Sequence, residues 1–160
     1  MAQLKAQSTR EGLPLLTAAG WHTAMVLKAP ANQCLAVEHW GAFFKGGDAA
    51  DPLVKLRLVK VSTDGTGGVA ATPTKRGSGR SETVQATVAH APDGGYSTEP
   101  TAVASSLQDQ LATHPQQPFF FPVIEPRDQV VGGGERWALQ YDNEGGSASL
   151  EGTFSIGWEE

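Results

Sequence analysis

Short runs in which apolar and polar residues alternate are the feature that most limits how this chain can fold. Three examples are 21–27, 54–58 and 84–88, and in each the larger apolar side chains fall on every second residue. This period of two is typical of β-strands that bury one face. Nineteen glycines and ten prolines among 160 residues end most of these runs, which leaves little room for long helices. The pattern therefore predicts an all-β chain.

The parity of the pattern changes within two of the runs. Apolar residues occupy odd positions at the start of 35–44 and even positions at its end. One extra residue near Glu38 would produce this change, so we predict a β-bulge there. A second change follows Leu58, where the apolar positions move to Val59 and Val61.

The runs and their connections predict a fold class. About eight strands joined by long Gly/Pro-rich loops are typical of an antiparallel β-sandwich or jelly roll, which we assign to residues 13–160. The runs 137–141 and 150–158 predict a hairpin, and 98–113 permits a short helix because its apolar residues lie four apart. Residues 1–12 are polar and aperiodic, and they predict an extended N-terminal arm outside the sandwich.

Charge and cysteine content exclude several classes of protein. The net charge of -5 argues against a nucleic-acid binder that acts through a broad basic face. A single cysteine excludes internal disulfides and a Cys-rich zinc site. Apolar residues 35–37 follow Cys34 directly, so we expect a reduced, buried thiol. No run approaches the length of a membrane span and no apolar signal segment follows the N-terminus, so we expect a protein without a membrane partner that is kept in the cytoplasm or assembled there into something larger.

Motifs that carry catalysis are missing from the pattern. Histidines stand at 22, 39, 90 and 114, too scattered for a helical metal pair, although His22 and His39 could meet across paired strands. The Gly-rich segment 77–81 lacks the lysine of a phosphate-binding loop. Asp64 lies in a turn sequence that occurs once, whereas an aspartic-protease site needs two such loops to pair their carboxylates. We therefore expect no enzyme activity, no cofactor and no metal.

The basic loop, the N-terminal arm and the aromatic run 119–121 are best explained as contacts with a partner. The loop 75–80 holds the one local basic cluster, and Leu4 is the single apolar anchor of the arm. Neighbours on a strand face opposite ways, so at least one residue of 119–121 must point away from the core. Trp40, Trp137 and Phe154 fit the core. The predicted interface residues are Leu4, Lys5, Arg10, Lys75, Arg76, Arg80 and Phe120.

An ordered series of segments resembles a family of small structural proteins encoded by tailed bacteriophages. The segments are Val37-Glu38-His39-Trp40-Gly41, Val54-Lys55-Leu56-Arg57-Leu58, Thr63-Asp64-Gly65-Thr66-Gly67-Gly68, Thr98-Glu99-Pro100-Thr101, Gly133-Gly134-Glu135-Arg136-Trp137-Ala138-Leu139 and Gly157-Trp158-Glu159-Glu160. The resemblance implies a β-sandwich capsid decoration (cement) protein on the virion exterior, assembled in the host cytoplasm. Its implied partners are the major capsid protein and further copies of itself, as a homotrimer.

Two other functions stay open on the residues alone. A phage fibre or receptor-binding domain could recognise glycans through exposed aromatic and Asp/Asn loops, since jelly rolls commonly serve lectins. An enzyme acting on polysaccharide would need two carboxylates at a set separation across a cleft, and the sequence offers only scattered Glu and Asp.

Overall fold

The protein is a stack of β-strands. The computed structural model describes residues 4–76, 82–122 and 130–160, with the backbone alone over 105–109. Within these ranges no helix has the length and apolar character needed to cross a membrane. The strands of the described residues are β1 (Lys5–Pro14), β2 (His22–Lys28), β3 (Leu35–Lys45), β4 (Val54–Val61), β5 (Val69–Ala71), β6 (Thr74–Arg76), β7 (Thr87–His90), β8 (Ala102–Thr113), β9 (Phe119–Pro122), β10 (Val130–Val131), β11 (Arg136–Asp142) and β12 (Glu151–Glu159).

Two antiparallel sheets contain all of these strands. Sheet A has the order β10-β3-β12-β1-β6, and β9 also pairs with β3, beside β10. Sheet B has the order β5-β7-β2-β11-β4-β8. The sheets pack against each other, which confirms the predicted antiparallel β-sandwich. The jelly-roll assignment stays a prediction.

The core lies between the two sheets and is rich in large side chains. Tyr141 of sheet B stacks on Phe154 of sheet A, with ring centroids 5.5 Å apart. Trp40 and Trp137 are buried as well, so the three predicted core aromatics are confirmed. Full burial of an aromatic side chain contributes about 1.5–3 kcal/mol, and these rings therefore carry much of the stability.

The bulge predicted near Glu38 is confirmed by the pairing of β3 with β12. Gly157 lies opposite His39 and Trp158 lies opposite Val37, so Glu38 is the extra residue. A bulge re-aims the side chains beyond it. Trp40 then enters the core, while His39 and Glu38 lie together on the outer face of sheet A.

The hairpin predicted from 137–141 and 150–158 is wrong. β11 pairs with β2 and β4 in sheet B, whereas β12 pairs with β1 and β3 in sheet A. The connection between them crosses from one sheet to the other, which brings Tyr141 and Phe154 face to face across the core. The ambiguous segment 98–113 contains a strand and not a helix, since β8 pairs with β4.

The predicted N-terminal arm belongs to the sandwich instead. Residues 5–12 lie in β1, which pairs with β12 along its length and with β6 at its start. The inward positions Ala6 and Ser8 are small and sit beside the bulky Trp158 and Ile156. The sequence of this segment shows no apolar alternation because the large side chains of β12, and not those of β1, fill the core here.

Loops cover the outer face of sheet B. The segments 62–68 and 96–101 are joined by a hydrogen bond from the Thr66 amide to the Thr98 carbonyl, 2.9 Å long. Asp64 contacts Arg136 on that face. The second change of parity is thereby explained, because Val59 and Val61 are buried on the side opposite Leu58.

The prediction that the Cys34 thiol is buried is wrong. Cys34 is exposed, not buried. It precedes the first residue of β3, Leu35, which is fully buried, so the apolar environment begins one residue later than the sequence suggested.

Candidate partner-binding surface

The outer face of sheet A carries a cluster of charged side chains at the Glu38 bulge. Lys5 of β1 and Arg76 of β6 lie directly opposite each other, and both contact the Glu38 carboxylate. Arg76 Nη1 is 3.1 Å from Glu38 Oε2 and 3.4 Å from His39 Nδ1. Two cations therefore share the Glu38 carboxylate, and Glu159, opposite Lys5 in the β1–β12 ladder, adds a second negative charge near Lys5.

An exposed aromatic ring adjoins the charged cluster. β9 places Phe120 opposite Gly41, and the Phe120 ring lies 5.1 Å from the ring of His39. Phe119 and Phe121 point the other way and pack on Trp40, at centroid distances of 5.4 and 5.6 Å. Phe120 is 55% exposed, as expected from the alternation of neighbouring side chains.

Two glycines shape this surface. A Cβ on Gly157 would lie 2.1 Å from Cε1 of His39, so the absence of a side chain lets the imidazole lie flat on β12. A Cβ on Gly41 would lie 2.5 Å from the Phe119 carbonyl oxygen, so β9 can approach β3 only at a glycine. The positions of His39 and Phe120 thus both depend on a missing side chain.

The charged groups adjust each other's protonation. The hydrogen bond to Glu38 raises the pKa of Lys5 above its usual value, so this ammonium stays charged. Burial, helped by the neighbouring Arg76, lowers the pKa of His39 below its ordinary 6.5. The imidazole is therefore neutral near pH 7 and presents an aromatic face to Phe120.

The predicted interface residues separate into distinct environments. Lys5, Arg76 and Phe120, far apart in sequence, meet around His39. Lys75 is exposed on β6, but it pairs with the buried Ala6 and so points to the face opposite Arg76. We name the five residues Lys5, Glu38, His39, Arg76 and Phe120 the bulge cluster.

Two predicted interface residues serve the chain itself. Leu4 is buried, and its amide and carbonyl both bond to Glu160. Arg10 donates from Nε to the Ala91 carbonyl at 2.8 Å and from Nη2 to Asp93 at 2.6 Å, which links sheet A to the β7 end of sheet B. We leave both out of the docking surface. Arg80 lies outside the described residues.

Sequence reasoning missed Glu38 and His39 as members of the surface. The parity change that predicted the bulge was the available signal, because a bulge places two consecutive side chains on one face. What it could not indicate is that β1 and β6 would bring Lys5 and Arg76 to the same place.

The histidines in β2, β3 and β7 lie apart from one another. No group of three or more His, Cys, Asp or Glu among them could hold a metal ion. His22 lies in sheet B, 3.6 Å from Glu99, so it does not meet His39. Ser8 Oγ lies 2.8 Å from His90 Nε2, yet the serine is buried and closed to a substrate. The Ser8–His90 contact is a hydrogen bond between the two sheets.

The chain also stands apart in comparisons with known proteins. No protein-family model, no curated protein and no solved structure matches it. Its function must therefore be inferred from the chemistry of its own surfaces, among which the bulge cluster combines the largest number of predicted contact residues.

Stability should fall in mild acid because of two imidazoles. Burial lowers the pKa of both His39 and His90 below 6.5, with Arg76 and Arg10 respectively adding to the effect. Below about pH 6.5 the unfolded chain binds protons that the folded chain does not, so the free energy of unfolding decreases. Urea unfolding between about pH 7.5 and about pH 5 should show this decrease, above the range where carboxylates titrate.

A variant with both His39→Gln and His90→Gln is the control for the acid effect. It should lose most of the slope in that pH window, because glutamine does not titrate. A wild-type profile that is flat from neutral pH to the start of carboxylate titration would show that the two imidazoles remain protonatable in the folded state.

Proposed function

We propose that this chain is a non-enzymatic structural protein of a tailed-phage virion, a capsid decoration (cement) protein that binds and stabilises the major capsid shell. The observation that carries the proposal is the bulge cluster. Lys5, Arg76 and Phe120 were each expected to contact a partner, and they meet on one exposed face around His39. The resemblance to phage structural proteins supplies the identity of the partner.

The chemistry of the cluster suits a protein surface. Arginine and aromatic residues are enriched at protein interfaces, and Arg is among the residue types enriched in binding hot spots. The exposed cations Lys5 and Arg76 favour a shell surface with acidic or polar loops. Many copies around a symmetric shell, assembled as oligomers such as the expected homotrimer, would add avidity to modest single contacts.

Binding of the full chain to purified shells that lack it tests the proposal. Arg76→Glu should weaken co-sedimentation with the shells by about tenfold or more, because the reversal repels acidic groups. Phe120→Ser should weaken shell binding by roughly thirtyfold if the ring is a binding hot spot. Shells loaded with the wild type should also resist heating better than bare shells.

Two substitutions elsewhere are matched controls. Lys45→Glu reverses an exposed charge. Leu53→Ser removes an apolar side chain whose exposed fraction, 54%, is similar to the 55% of Phe120. Both lie outside the bulge cluster and should bind like wild type. Failure of the wild type to bind shells would reject the decoration role, while equal losses in all four variants would reject the cluster as the docking surface.

A further inference from the structure

A groove lies on sheet A, beside a register shift in the pairing of β1 with β12. The register of β1 against β12 shifts between Arg10 and Leu13, and Gly12 adopts a φ of 58°. This irregularity leaves an opening of about 380 Å³ next to β3 and β12. The groove is lined by Glu11, Gly12, Phe43, Phe44, Lys45, Glu151 and Thr153.

One aromatic ring of the groove is exposed and the other is anchored. Phe43 is 50% exposed and lies opposite Thr153 of β12. The next residue, Phe44, is partly buried and packs edge-on against Phe154 of the core, with centroids 6.2 Å apart. The groove therefore offers one accessible flat apolar surface on a firmly packed strand.

The charged side chains of the groove are exposed to solvent. Glu11, Lys45 and Glu151 are exposed, and none of them forms an ion pair with another described residue. Lys45 lies opposite Glu151 in the ladder, yet the two are not bonded. Two carboxylates and one ammonium are thus available to a ligand.

We propose that this groove binds a saccharide unit. The C–H face of a sugar ring can lie on Phe43, as apolar groups do on aromatic rings, while its hydroxyls donate to Glu11 and Glu151 and accept from Lys45 as charge-assisted hydrogen bonds. The volume falls within the range of about 300–1,000 Å³ that is usual for small-ligand sites. The site is independent of the decoration role and would give a shell-bound protein an affinity for polysaccharide.

Other ligand classes fit the groove less well. Phosphates and nucleic acids would meet two carboxylates against a single lysine. A protein partner would also cover Phe120, which lies opposite Gly41 on the same outer face of sheet A, so its binding should respond to Phe120→Ser as well as to Phe43→Ser. The combination of an exposed ring with two carboxylates and an ammonium suits a neutral, hydroxyl-rich molecule.

Calorimetric titration of the full chain with cellohexaose, maltohexaose and chitohexaose tests the proposal. At least one of these probes should bind. Phe43→Ser should weaken that binding by about tenfold, the loss expected for one stacking contact. Phe43→Trp should keep it, and Glu151→Gln should weaken it by about threefold because a charge-assisted bond becomes neutral.

The controls separate this site from the bulge cluster. Leu53→Ser and Arg76→Glu should bind the sugar like wild type, whereas Arg76→Glu should bind the shell more weakly than wild type. Absence of binding for all three probes at about 10 mM would overturn the proposal, as would an unchanged affinity in Phe43→Ser. Binding of spermidine without binding of any sugar would assign the groove to a cation and also overturn it.

Discussion

Trp40→Ala should lower the free energy of unfolding by about 3–5 kcal/mol, the range for removing a buried aromatic side chain from a core. Trp40 is fully buried, and its ring contacts Phe119 and Phe121 of β9. Truncation would leave a cavity and also remove the surface on which β9 packs. Urea unfolding followed by tryptophan fluorescence and circular dichroism would measure the loss.

Trp40→Phe is the matched control for this prediction. The Trp40 Nε1 is buried without a hydrogen-bond partner among the described residues, so replacing the indole by a phenyl ring breaks no hydrogen bond to any of them. The expected cost is below about 1.5 kcal/mol, that of a tolerated apolar exchange. A loss in Trp40→Phe as large as in Trp40→Ala would show that the site depends on the indole shape and not on an aromatic ring as such.

Period and parity were enough to predict strands and one irregularity. The alternation in 35–44 identified the inward face of β3 and the bulge at Glu38, because both are local properties of one strand. It could not identify the neighbours of a strand. The segments 137–141 and 150–158 have hairpin-like spacing, yet they lie in different sheets, since a period of two says which residues share a face and not which sheet they join.

The candidate site shows the same division between local and long-range information. Phe120 could be predicted as exposed, because its neighbours must point the other way. Its position beside His39 depends on the register of β9 against β3, and that of Arg76 depends on β6 pairing with β1. Pairings this distant in sequence leave no local signal. For the same reason Arg10 looked like a surface residue and proved to bridge the two sheets.

Gly41→Ala should cost about 2–4 kcal/mol, because a new methyl group would force two backbones apart and expose part of the β9 rings. The added Cβ would lie 2.5 Å from the carbonyl oxygen of Phe119 and 3.2 Å from the Cα of Phe120. Neither atom belongs to a side chain that could rotate away. β9 would have to leave β3, and Phe120 would move away from His39.

The matched control is Gly94→Ala, at a turn where an added Cβ meets nothing within 4 Å. It should change the free energy of unfolding by less than about 1 kcal/mol. The docking proposal adds a second readout, because Gly41→Ala should bind shells as poorly as Phe120→Ser even under conditions where the variant is fully folded. Normal stability in Gly41→Ala would mean that β9 does not pack on β3 as described. If Gly41→Ala is destabilised but binds shells normally, Phe120 is not part of the docking surface.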